Sequence, residues 1–269
     1  MKVGIIGYKG FVGSAFYKVF SADKKYGVTG IDRANYDSLK GLIFDILINA
    51  NGNSSKRLAD SDPALDFGMN VSSTLDFLRD FPTRHYLHIS TVEVYNCKEK
   101  HELTYESAEI QSAKLSNYGF SKYIGEIVAK KHAKSWMILR LAGMLGKNIE
   151  KGPAYDILRL NKLFVSPKSR YQFINTWEVA SIAKTLCERG KWGEIYNVVG
   201  EGSITLEKMS QMAGVKLKEH GSELLRFNVS VEKLKKEIVV STTEKTVEQF
   251  IKQWSKKQLP AFLHSKNNH

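Results

Sequence analysis

A tyrosine and a lysine stand four residues apart in the segment Tyr118-Gly119-Phe120-Ser121-Lys122. On a helix these two side chains share one face, so a phenol and an ammonium group would lie side by side. A free tyrosine has a pKa of about 10 and is almost entirely protonated near neutral pH. A neighbouring ammonium would stabilise the phenolate and give Tyr118 useful acid/base character. This spacing is also common on solvated helix surfaces, so its meaning depends on the groups around it.

A hydroxyl and a carboxylate follow a strand-like run in HISTVEVYN, residues 88–96. In an extended backbone alternate residues share a face, so Thr91, Glu93 and Tyr95 would point to one side. Thr91 would then hydrogen-bond the substrate oxygen whose proton Tyr118 exchanges. Glu93 is a candidate base, since a carboxylate in a closed cleft can be tuned towards the operating pH. The equal alternative is a solvated or salt-bridged acid.

Three glycines form the pattern GxxGxxG directly after the strand-like KVGIIG and at the start of a helix-like segment. Gly7, Gly10 and Gly13 would permit a tight turn and let the backbone approach a pyrophosphate, whose charge the helix N-terminus stabilises. Asp32, at the end of the second strand, would accept hydrogen bonds from adenosine ribose hydroxyls and repel a 2′-phosphate, which favours NAD. Arg33 leaves NADP open, because a guanidinium can accommodate that phosphate. The alternative is a turn that only packs a helix on a strand.

The elements that must position these groups alternate between strand-like and helix-like patterns through the first half of the chain. The strand candidates are KVGIIG, VTGID, DILINA, HYLHIST and WMILRLAG, and the longest helix candidate is SNYGFSKYIGEIVAKKHA. Asp62 is a plausible N-cap, with Pro63 at the first position of another helix. The alternation predicts an α/β fold with a parallel sheet. Residues 1–146 form the predicted main domain, and residues 147–269 a smaller lobe with segments returning to the sheet.

Composition narrows the class of protein. The chain has 269 residues, 42% of them hydrophobic and 25% charged, which is typical of a globular protein with a full core. Its two cysteines, Cys97 and Cys187, lie outside any CxxC or Cys/His metal pattern, so we expect neither a disulfide framework nor a metal site. The N-terminus resembles a strand and turn rather than a signal peptide, and no apolar run is long enough to span a bilayer. We therefore predict a cytoplasmic protein without a membrane segment.

The charge balance favours anionic partners. Forty Lys+Arg against 28 Asp+Glu give a formal net charge of +12. Such a charge suits phosphorylated metabolites, nucleic acid or a membrane surface, and does not choose among them. The lysines are scattered and no RNA-binding aromatic motif accompanies them, so a dedicated nucleic-acid role is disfavoured.

Taken together and in this order, the motifs resemble the extended short-chain dehydrogenase/reductase family, in its NAD-dependent epimerase/dehydratase branch. The resemblance runs through GYKGFVG, GID, DILINANG, HISTVEVY, YGFSKYIGE, LRLAGMLG, YQFINTWEVA and IYNVVG. It implies a Rossmann-like, doubly wound domain that binds NAD, with NADP open, and a C-terminal lobe that holds a nucleotide sugar. It also implies that Thr91, Tyr118 and Lys122 are catalytic. Lys122 would also hold the nicotinamide ribose, and a cationic nicotinamide would help to stabilise the phenolate.

The same likeness implies a set of cofactor contacts. They are Gly7, Gly10, Phe11, Val12, Gly13, Asp32, Arg33, Asn49, Ala50, Asn51, Tyr118 and Lys122. Asn51 and Gly52 depart from the family's usual Asn-Ala-Ala-Ala run. Asn70 matches a structural asparagine of the family, and an ordinary polar helix residue is the equal alternative.

The resemblance also bears on the reaction. Sugar-nucleotide 4,6-dehydratases typically have Thr-Asp-Glu where this chain has Thr91-Val92-Glu93, and decarboxylating relatives have Thr-Ser-Glu. Valine cannot donate a proton, so a complete dehydratase pair is missing. Gly143 stands where many epimerases and dehydratases have an asparagine that grips the substrate. With the short second lobe, this looks more like the 4-keto-sugar reductases of the dehydrorhamnose-reductase type.

The expected substrate contacts are Thr91, Glu93, Gly143 and Arg170, the last at a place where relatives often contact the nucleotide. Arg140, Arg159 and Lys168 are weaker candidates, for which a structural salt bridge is at least as good an explanation.

The predicted protein is therefore an oxidoreductase or epimerase that transfers hydride at a carbon of a nucleotide-activated sugar. Two alternatives stay open. One is a catalytically silent NAD(P)-binding sensor of the same fold, and the other is an RNA-binding relative suggested by charge alone. By analogy with relatives that pair through the Tyr/Lys helix, a homodimer is also open.

Overall fold

The computed structural model describes residues 1–159, 162–217 and 220–264, with side chains described as far as Trp254. The strands are β1 (Lys2–Ile6), β2 (Gly27–Ile31), β3 (Phe44–Asn49), β4 (Thr83–Thr91), β5 (Trp136–Leu141), β6 (Gly143–Leu145), β7 (Arg170–Tyr171), β8 (Phe173–Asn175), β9 (Glu194–Val198) and β10 (Ile204–Thr205). The helices are α1 (Gly13–Ser21), α2 (Tyr36–Leu39), α3 (Lys56–Ser61), α4 (Pro63–Phe67), α5 (Ser73–Asp80), α6 (Asn117–His132), α7 (Pro153–Leu158), α8 (Thr176–Glu188), α9 (Leu206–Met212), α10 (Glu232–Lys235) and α11 (Thr243–His264).

The residues fall into two compact units. The first comprises Met1–Ala142, Thr176–Val199 and Val229–Val239, and the second comprises Gly143–Asn175, Gly200–Asn228 and Val240–His269. Both units are therefore assembled from separate stretches of the chain.

A parallel sheet forms the centre of the first unit. Its strands lie in the order β2-β1-β3-β4-β5-β9, and every neighbouring pair is parallel. Strands β1, β3 and β5 are mainly apolar and buried, as strands covered on both faces are. The chain runs outward from β1 to β2 and then returns to β3 on the other side of β1. This order is that of a doubly wound Rossmann-like sheet, so the predicted fold class is confirmed.

The helices of the first unit bury apolar side chains against this sheet. Helix α1 contacts α8, whereas α6 contacts α5 and β4. One core cluster joins sheet and helix residues: Ile6, Ile31, Phe44, Leu47, Phe77, Phe81, Tyr86 and Ala129. Interlocking aromatic and aliphatic side chains of this kind fix the height and rotation of each helix on the sheet.

Local signals explain where two of these helices begin. Asp62 caps α4 by accepting a hydrogen bond from the Leu65 amide at 2.9 Å, with Pro63 following it, as predicted. Between α4 and α5 the backbone forms a five-residue π-helical segment, Gly68–Ser72. Ser116 caps α6 through a hydrogen bond from the Gly119 amide at 3.2 Å. Helix α6 ends in Lys130, Lys131 and His132, whose positive charges suit the negative end of the helix dipole.

The second unit is built from short elements. Strand β6 pairs in parallel with β8, and β7 pairs antiparallel with β10. Helix α11 contacts β8 and α9, and α9 contacts α7. Across the described residues, every helix is too short or too polar to span a lipid bilayer.

Candidate active site

The carboxyl ends of the parallel strands bring the predicted site residues to one edge of the sheet. Ile6 pairs with both Ile31 and Asn49, and Asn49 pairs with His88 on β4. Gly7, Asp32 and Ala50 therefore follow the ends of three adjacent strands. Thr91 is the last residue of β4 and lies at the same edge. In open α/β sheets this edge, near the point where the strand order reverses, is where ligands bind.

The glycine turn after β1 is built for a close approach. Gly7 has a φ of 76°, a left-handed conformation that favours glycine, and its amide donates to Ile31 O at 2.9 Å. A Cβ at Gly13 would overlap the Gly7 carbonyl, so no larger residue fits there. No side chain caps the start of α1 at Val12, and the positive end of the helix dipole there favours an anion. Phe11 and Val12 are half-buried in this turn. The turn thus fits a dinucleotide pyrophosphate.

Asp32 is already engaged by a cation from the glycine turn. Lys9 Nζ lies 2.5 Å from Asp32 Oδ2, and the Asp32 carboxylate also accepts a hydrogen bond from the Ala34 amide at 2.9 Å. The hydrogen bond from Lys9 is the largest cause that lowers the pKa of Asp32. Arg33 is exposed beside them. Sequence reasoning missed Lys9, although a lysine inside the GYKG turn was a visible signal.

Asn49 shapes the loop that carries the next predicted cofactor contacts. Its buried side chain donates to Tyr86 Oη at 2.9 Å and accepts from the Asn51 amide at 3.1 Å. The Ala50 amide donates to Ile6 O at 3.1 Å, and a Cβ at Gly7 would come within 3.0 Å of Ala50 O. The loop after β3 is thus held tightly against the glycine turn.

The end of β4 is shaped differently from the expectation. The strand stops at Thr91, and Val92–Val94 forms a single turn of 3₁₀ helix. The Thr91 hydroxyl caps this turn by accepting the Glu93 amide at 3.3 Å. The predicted extended alternation of Thr91, Glu93 and Tyr95 is therefore wrong. Tyr95 is instead buried and donates to Asn197 Oδ1 at 2.8 Å.

Glu93 is a salt-bridged acid in this structure. Its Oε1 lies 2.7 Å from Lys56 Nζ and its Oε2 lies 3.1 Å from Lys98 Nζ. Only 11% of the Glu93 side chain is exposed. The salt-bridged alternative thus describes its surroundings, while a role as a base stays a prediction.

Tyr118 and Thr91 are brought together where α6 packs on the 3₁₀ turn. A Cβ at Gly119 would meet the Glu93 carbonyl at 2.5 Å, which shows how closely the start of α6 approaches this turn. Tyr118 is half-buried. Burial raises its pKa, and a side-chain hydrogen bond with Thr91 opposes that rise. A hydrogen-bonded phenol and hydroxyl at a strand end can share a proton with a bound oxygen.

Lys122 lies one helical turn further along α6 and is 5% exposed. Its Nζ donates to Ile89 O at 2.7 Å, two residues before Thr91. Burial lowers the pKa of Lys122 to about 8, while the negative charges of Glu126 and Asp66 act against that fall. The ammonium and its neutral form are therefore close in free energy near physiological pH.

Arg140 has a structural role rather than the predicted weak role in substrate binding. The side chain is 1% exposed and forms a two-pronged ion pair with the fully buried Glu126. Glu126 Oε1 also accepts from the Ser90 hydroxyl at 2.5 Å, and the guanidinium lies over the Tyr95 ring at 4.9 Å from its centroid. A buried, paired guanidinium cannot reach a ligand phosphate.

The remaining predicted substrate contacts lie in the second unit. A Cβ at Gly143 would come within 2.7 Å of the Phe173 ring and 2.8 Å of Gln172 O, so close packing of β6 on β8 accounts for the glycine. Arg170 is exposed, and its guanidinium donates to Ser203 Oγ at 3.1 Å and to Ser203 O at 3.2 Å. Arg159 lies over the Tyr155 and Trp254 rings, and Lys168 is exposed.

Comparisons with known proteins agree with this geometry. A parallel sheet in this order, with a glycine turn after its first strand, defines the class of Rossmann-like nucleotide-binding proteins. Residues 3–198 match the model of the NAD dependent epimerase/dehydratase family, so the chain belongs to that family. The predicted family, enzyme class and nicotinamide cofactor are thereby confirmed. A search of curated proteins found no match.

Solved structures of the same fold cover almost the whole chain at low sequence identity. A UDP-galactose 4-epimerase is 20% identical over 96% of this chain and 99% of its own, with a TM-score of 0.77. MoeE5 in complex with UDP-glucose and NAD is 15% identical over 96% and 100%, with a TM-score of 0.83. The dTDP-4-dehydrorhamnose reductase from Bacillus anthracis, in complex with NADP, is 16% identical over 94% and 98%, with a TM-score of 0.78.

Proposed function

We propose that this chain oxidises, reduces or epimerises a nucleotide-activated sugar with NAD(P), using Tyr118 as the acid/base. The observation that carries the proposal is that the Tyr118 phenol and the Thr91 hydroxyl interact beside buried Lys122, at the sheet edge that also holds the glycine turn. A cofactor-binding protein without chemistry needs only the turn, whereas a proton-transfer enzyme needs the phenol, the hydroxyl and the ammonium together.

Each residue has a defined part in this proposal. Thr91 orients the sugar oxygen by hydrogen bonding, and Tyr118 exchanges a proton with that oxygen. Lys122 stabilises the phenolate form of Tyr118 by its charge. Bound NAD(P) supplies the hydride acceptor or donor for the sugar carbon.

The cofactor is held by the glycine turn and by the groups around Asp32. Asp32 favours the free ribose hydroxyls of NAD, but Lys9 neutralises its charge and adds a cation beside Arg33. This pair of cations supports acceptance of the 2′-phosphate of NADP as well. Among the fold relatives, MoeE5 was solved with NAD and the dehydrorhamnose reductase with NADP.

We further propose epimerisation or 4-keto reduction rather than dehydration. Val92 stands where a dehydratase needs an acid, and it is buried at 1% exposure, so it supplies no proton to a substrate. Glu93 is the remaining acid of that turn and is held by two lysines. The nucleotide would be held partly by Arg170, whose guanidinium is exposed on β7.

The proposal is tested by incubating the protein with UDP- and dTDP-sugars and their 4-keto forms, each with NAD, NADH, NADP or NADPH. Products are identified by mass spectrometry and NMR, and cofactor binding is measured separately by calorimetry. We expect one sugar nucleotide to be epimerised, or reduced with oxidation of the cofactor. Cofactor binding without conversion of any substrate would favour the silent sensor, and retention of RNA with the cofactor site blocked would favour the RNA-binding alternative.

We also propose a homodimer that forms through the helices next to the site. Leu65, Phe67, Leu75, Phe120 and Ile127 are large apolar residues exposed on α4, α5 and α6. Burying them against a second copy would remove apolar surface from water. Light scattering should give twice the monomer mass, and Ile127→Asp should halve it, whereas Lys131→Asp on the same helix should not.

A cytoplasmic location fits the two free cysteines, and fractionation of cells would test it.

A further inference from the structure

A buried carboxylate that no sequence motif identified lies on α4, which packs against the helix that carries the Tyr/Lys pair. Asp66 on α4 is 0% exposed. Its Oδ1 accepts hydrogen bonds from Asn53 Nδ2 at 2.7 Å and from Asn70 Nδ2 at 2.8 Å. Its Oδ2 has no hydrogen-bond partner among the described residues. Two neutral amides satisfy one oxygen, and within the described ranges no cation is paired with the charge. An ionised carboxylate in such a place requires a counter-charge nearby.

The packing of α6 places Lys122 near this carboxylate. Helix α6 contacts both α4 and the π-helical segment Gly68–Ser72. At Gly125, one turn beyond Lys122, a Cβ would lie 2.8 Å from Asn70 O, so the two backbones are almost touching. Asn70 is in turn hydrogen-bonded to Asp66. The ammonium and the carboxylate are thus buried in the same small region of the first unit.

Other ionisable groups around Lys122 do not provide an uncompensated negative charge. Glu126 is the larger influence that favours the ammonium, but both of its oxygens are held by the Arg140 guanidinium. His88 on β4 is buried, and burial together with Lys122 keeps its pKa low, so it is neutral. Tyr118 is protonated at neutral pH because burial raises its pKa. Asp66 is the acid whose charge acts on both Lys122 and Tyr118.

We propose that Asp66 is a positioning residue whose buried carboxylate keeps Lys122 in its ammonium form and in place beside Tyr118. The proposal deepens the proposed function, on which its importance for catalysis rests. The proposal depends on the interaction between the buried charges of Asp66 and Lys122. This interaction can be measured without substrate, cofactor or turnover.

The first test is Asp66→Asn. Asparagine can retain the acceptor for Asn53 and Asn70 and has nearly the same shape, so mainly the charge is removed. The pKa of Lys122 is followed by the ¹³C shift of its Cε in lysine-labelled protein, and Lys122→Met identifies the resonance. We expect Asp66→Asn to lower this pKa by about one unit, since an opposite charge nearby has that effect. The matched control is Asp62→Asn, which removes an exposed carboxylate from the same helix start and keeps a good N-cap. It should leave the pKa of Lys122 unchanged.

A second measurement covers the case in which Asp66→Asn does not fold. Asp66→Ser also removes the carboxylate, and its smaller side chain puts no amide in the buried site. The Cε shift of Lys122 is followed in this variant in the same way, and we again expect the pKa of Lys122 to fall. A Lys122 pKa in the folded Asp66 variant that equals the value in Asp62→Asn would overturn the proposal. Failure of the proposed function would be seen elsewhere, as turnover that survives Tyr118→Phe.

Discussion

Arg140 and Glu126 form a buried, two-pronged ion pair, with Nε to Oε1 at 3.0 Å and Nη2 to Oε2 at 2.7 Å. The pair ties the last part of β5 to the middle of α6, the helix that carries Tyr118 and Lys122. It also holds the Ser90 hydroxyl, directly before Thr91. Buried residues that a ligand does not reach therefore fix the positions of Thr91, Tyr118 and Lys122.

Breaking this pair should be strongly destabilising. Glu126→Gln leaves the buried Arg140 guanidinium without its counter-charge, and we expect the free energy of unfolding to fall by about 3–5 kcal/mol. Urea denaturation measures the change. The double substitution Glu126→Met with Arg140→Met, which removes both charges, should recover most of the loss. A single substitution that costs nothing would show that the pair does not hold α6 in place.

The stability of the protein should rise with pH through the titration of Lys122. Its pKa is about 8 in the folded protein and 10.5 in the unfolded chain, so the unfolded state binds more protons between these values. Below pH 8 the full penalty for burying the ammonium is present, and above pH 10.5 it is absent. Relative to Lys122→Met, the free energy of unfolding should therefore increase by about 3 kcal/mol across this window. If the free energy of unfolding changed with pH in the same way in both proteins, the lowered pKa of Lys122 would be contradicted.

Replacing the candidate acid/base should abolish turnover but not folding. In Tyr118→Phe the ring remains and the proton is lost, so we expect kcat to fall by about 10²- to 10⁴-fold. Cofactor affinity, measured by calorimetry, should change little. Tyr123→Phe is the matched control, because Tyr123 lies on the same helix and has no part in the proposed site. Equal losses in the two variants would point to helix packing rather than chemistry.

Cofactor choice should depend on Lys9 and Arg33. Loss of one charge-assisted contact to a 2′-phosphate weakens binding by about 1.5–3 kcal/mol, or roughly tenfold to a hundredfold. Lys9→Ala should also free Asp32 to bind ribose hydroxyls, so the preference should move towards NAD. We expect Lys9→Ala and Arg33→Ala to weaken NADP binding and to spare NAD. Lys24→Ala, which removes an exposed charge elsewhere, serves as the comparison. An unchanged ratio of dissociation constants would remove both residues from the cofactor site.

Glu93 should report the type of reaction. If it acts as a base in epimerisation, Glu93→Gln should lose inversion at the sugar carbon while keeping hydride transfer to the cofactor. Product analysis by NMR separates the two steps. If Glu93→Gln epimerised the sugar at the full rate, Glu93 would have only a structural role in the 3₁₀ turn.

Local patterns were enough to predict the framework of the site. The strand before Gly7, the N-cap at Asp62 and the Tyr118–Lys122 helix all follow from apolar periodicity and capping residues close in sequence. The ending of β4 did not follow, because Thr91 can continue a strand or cap a turn, and its choice depends on contact with α6. The burial of Asp66 could not be predicted from local sequence. It depends on hydrogen bonds from Asn53 and Asn70, which form only in the folded chain.

Ion-pair partners elsewhere in the chain also changed the interpretation of two charged residues, Arg140 and Asp32. Arg140 lies near the end of the apolar strand β5 and suggested a phosphate contact, but it is paired with Glu126, fourteen residues earlier. Asp32 suggested an open ribose site, whereas Lys9 from the neighbouring turn already neutralises it. Neither pairing has a spacing that a helix or strand would repeat, so only the folded arrangement reveals them.

The π-helical segment Gly68–Ser72 determines how far α4 is rotated about the helix axis relative to α5. An α-helix advances by about 100° for each residue, so removing one residue from this segment would regularise the helix and rotate everything before it by that angle. Asp66 would then turn away from Asn53 while α5 kept its place on the sheet. The number of residues in this segment, more than the identity of any one of them, thus determines where the buried carboxylate points.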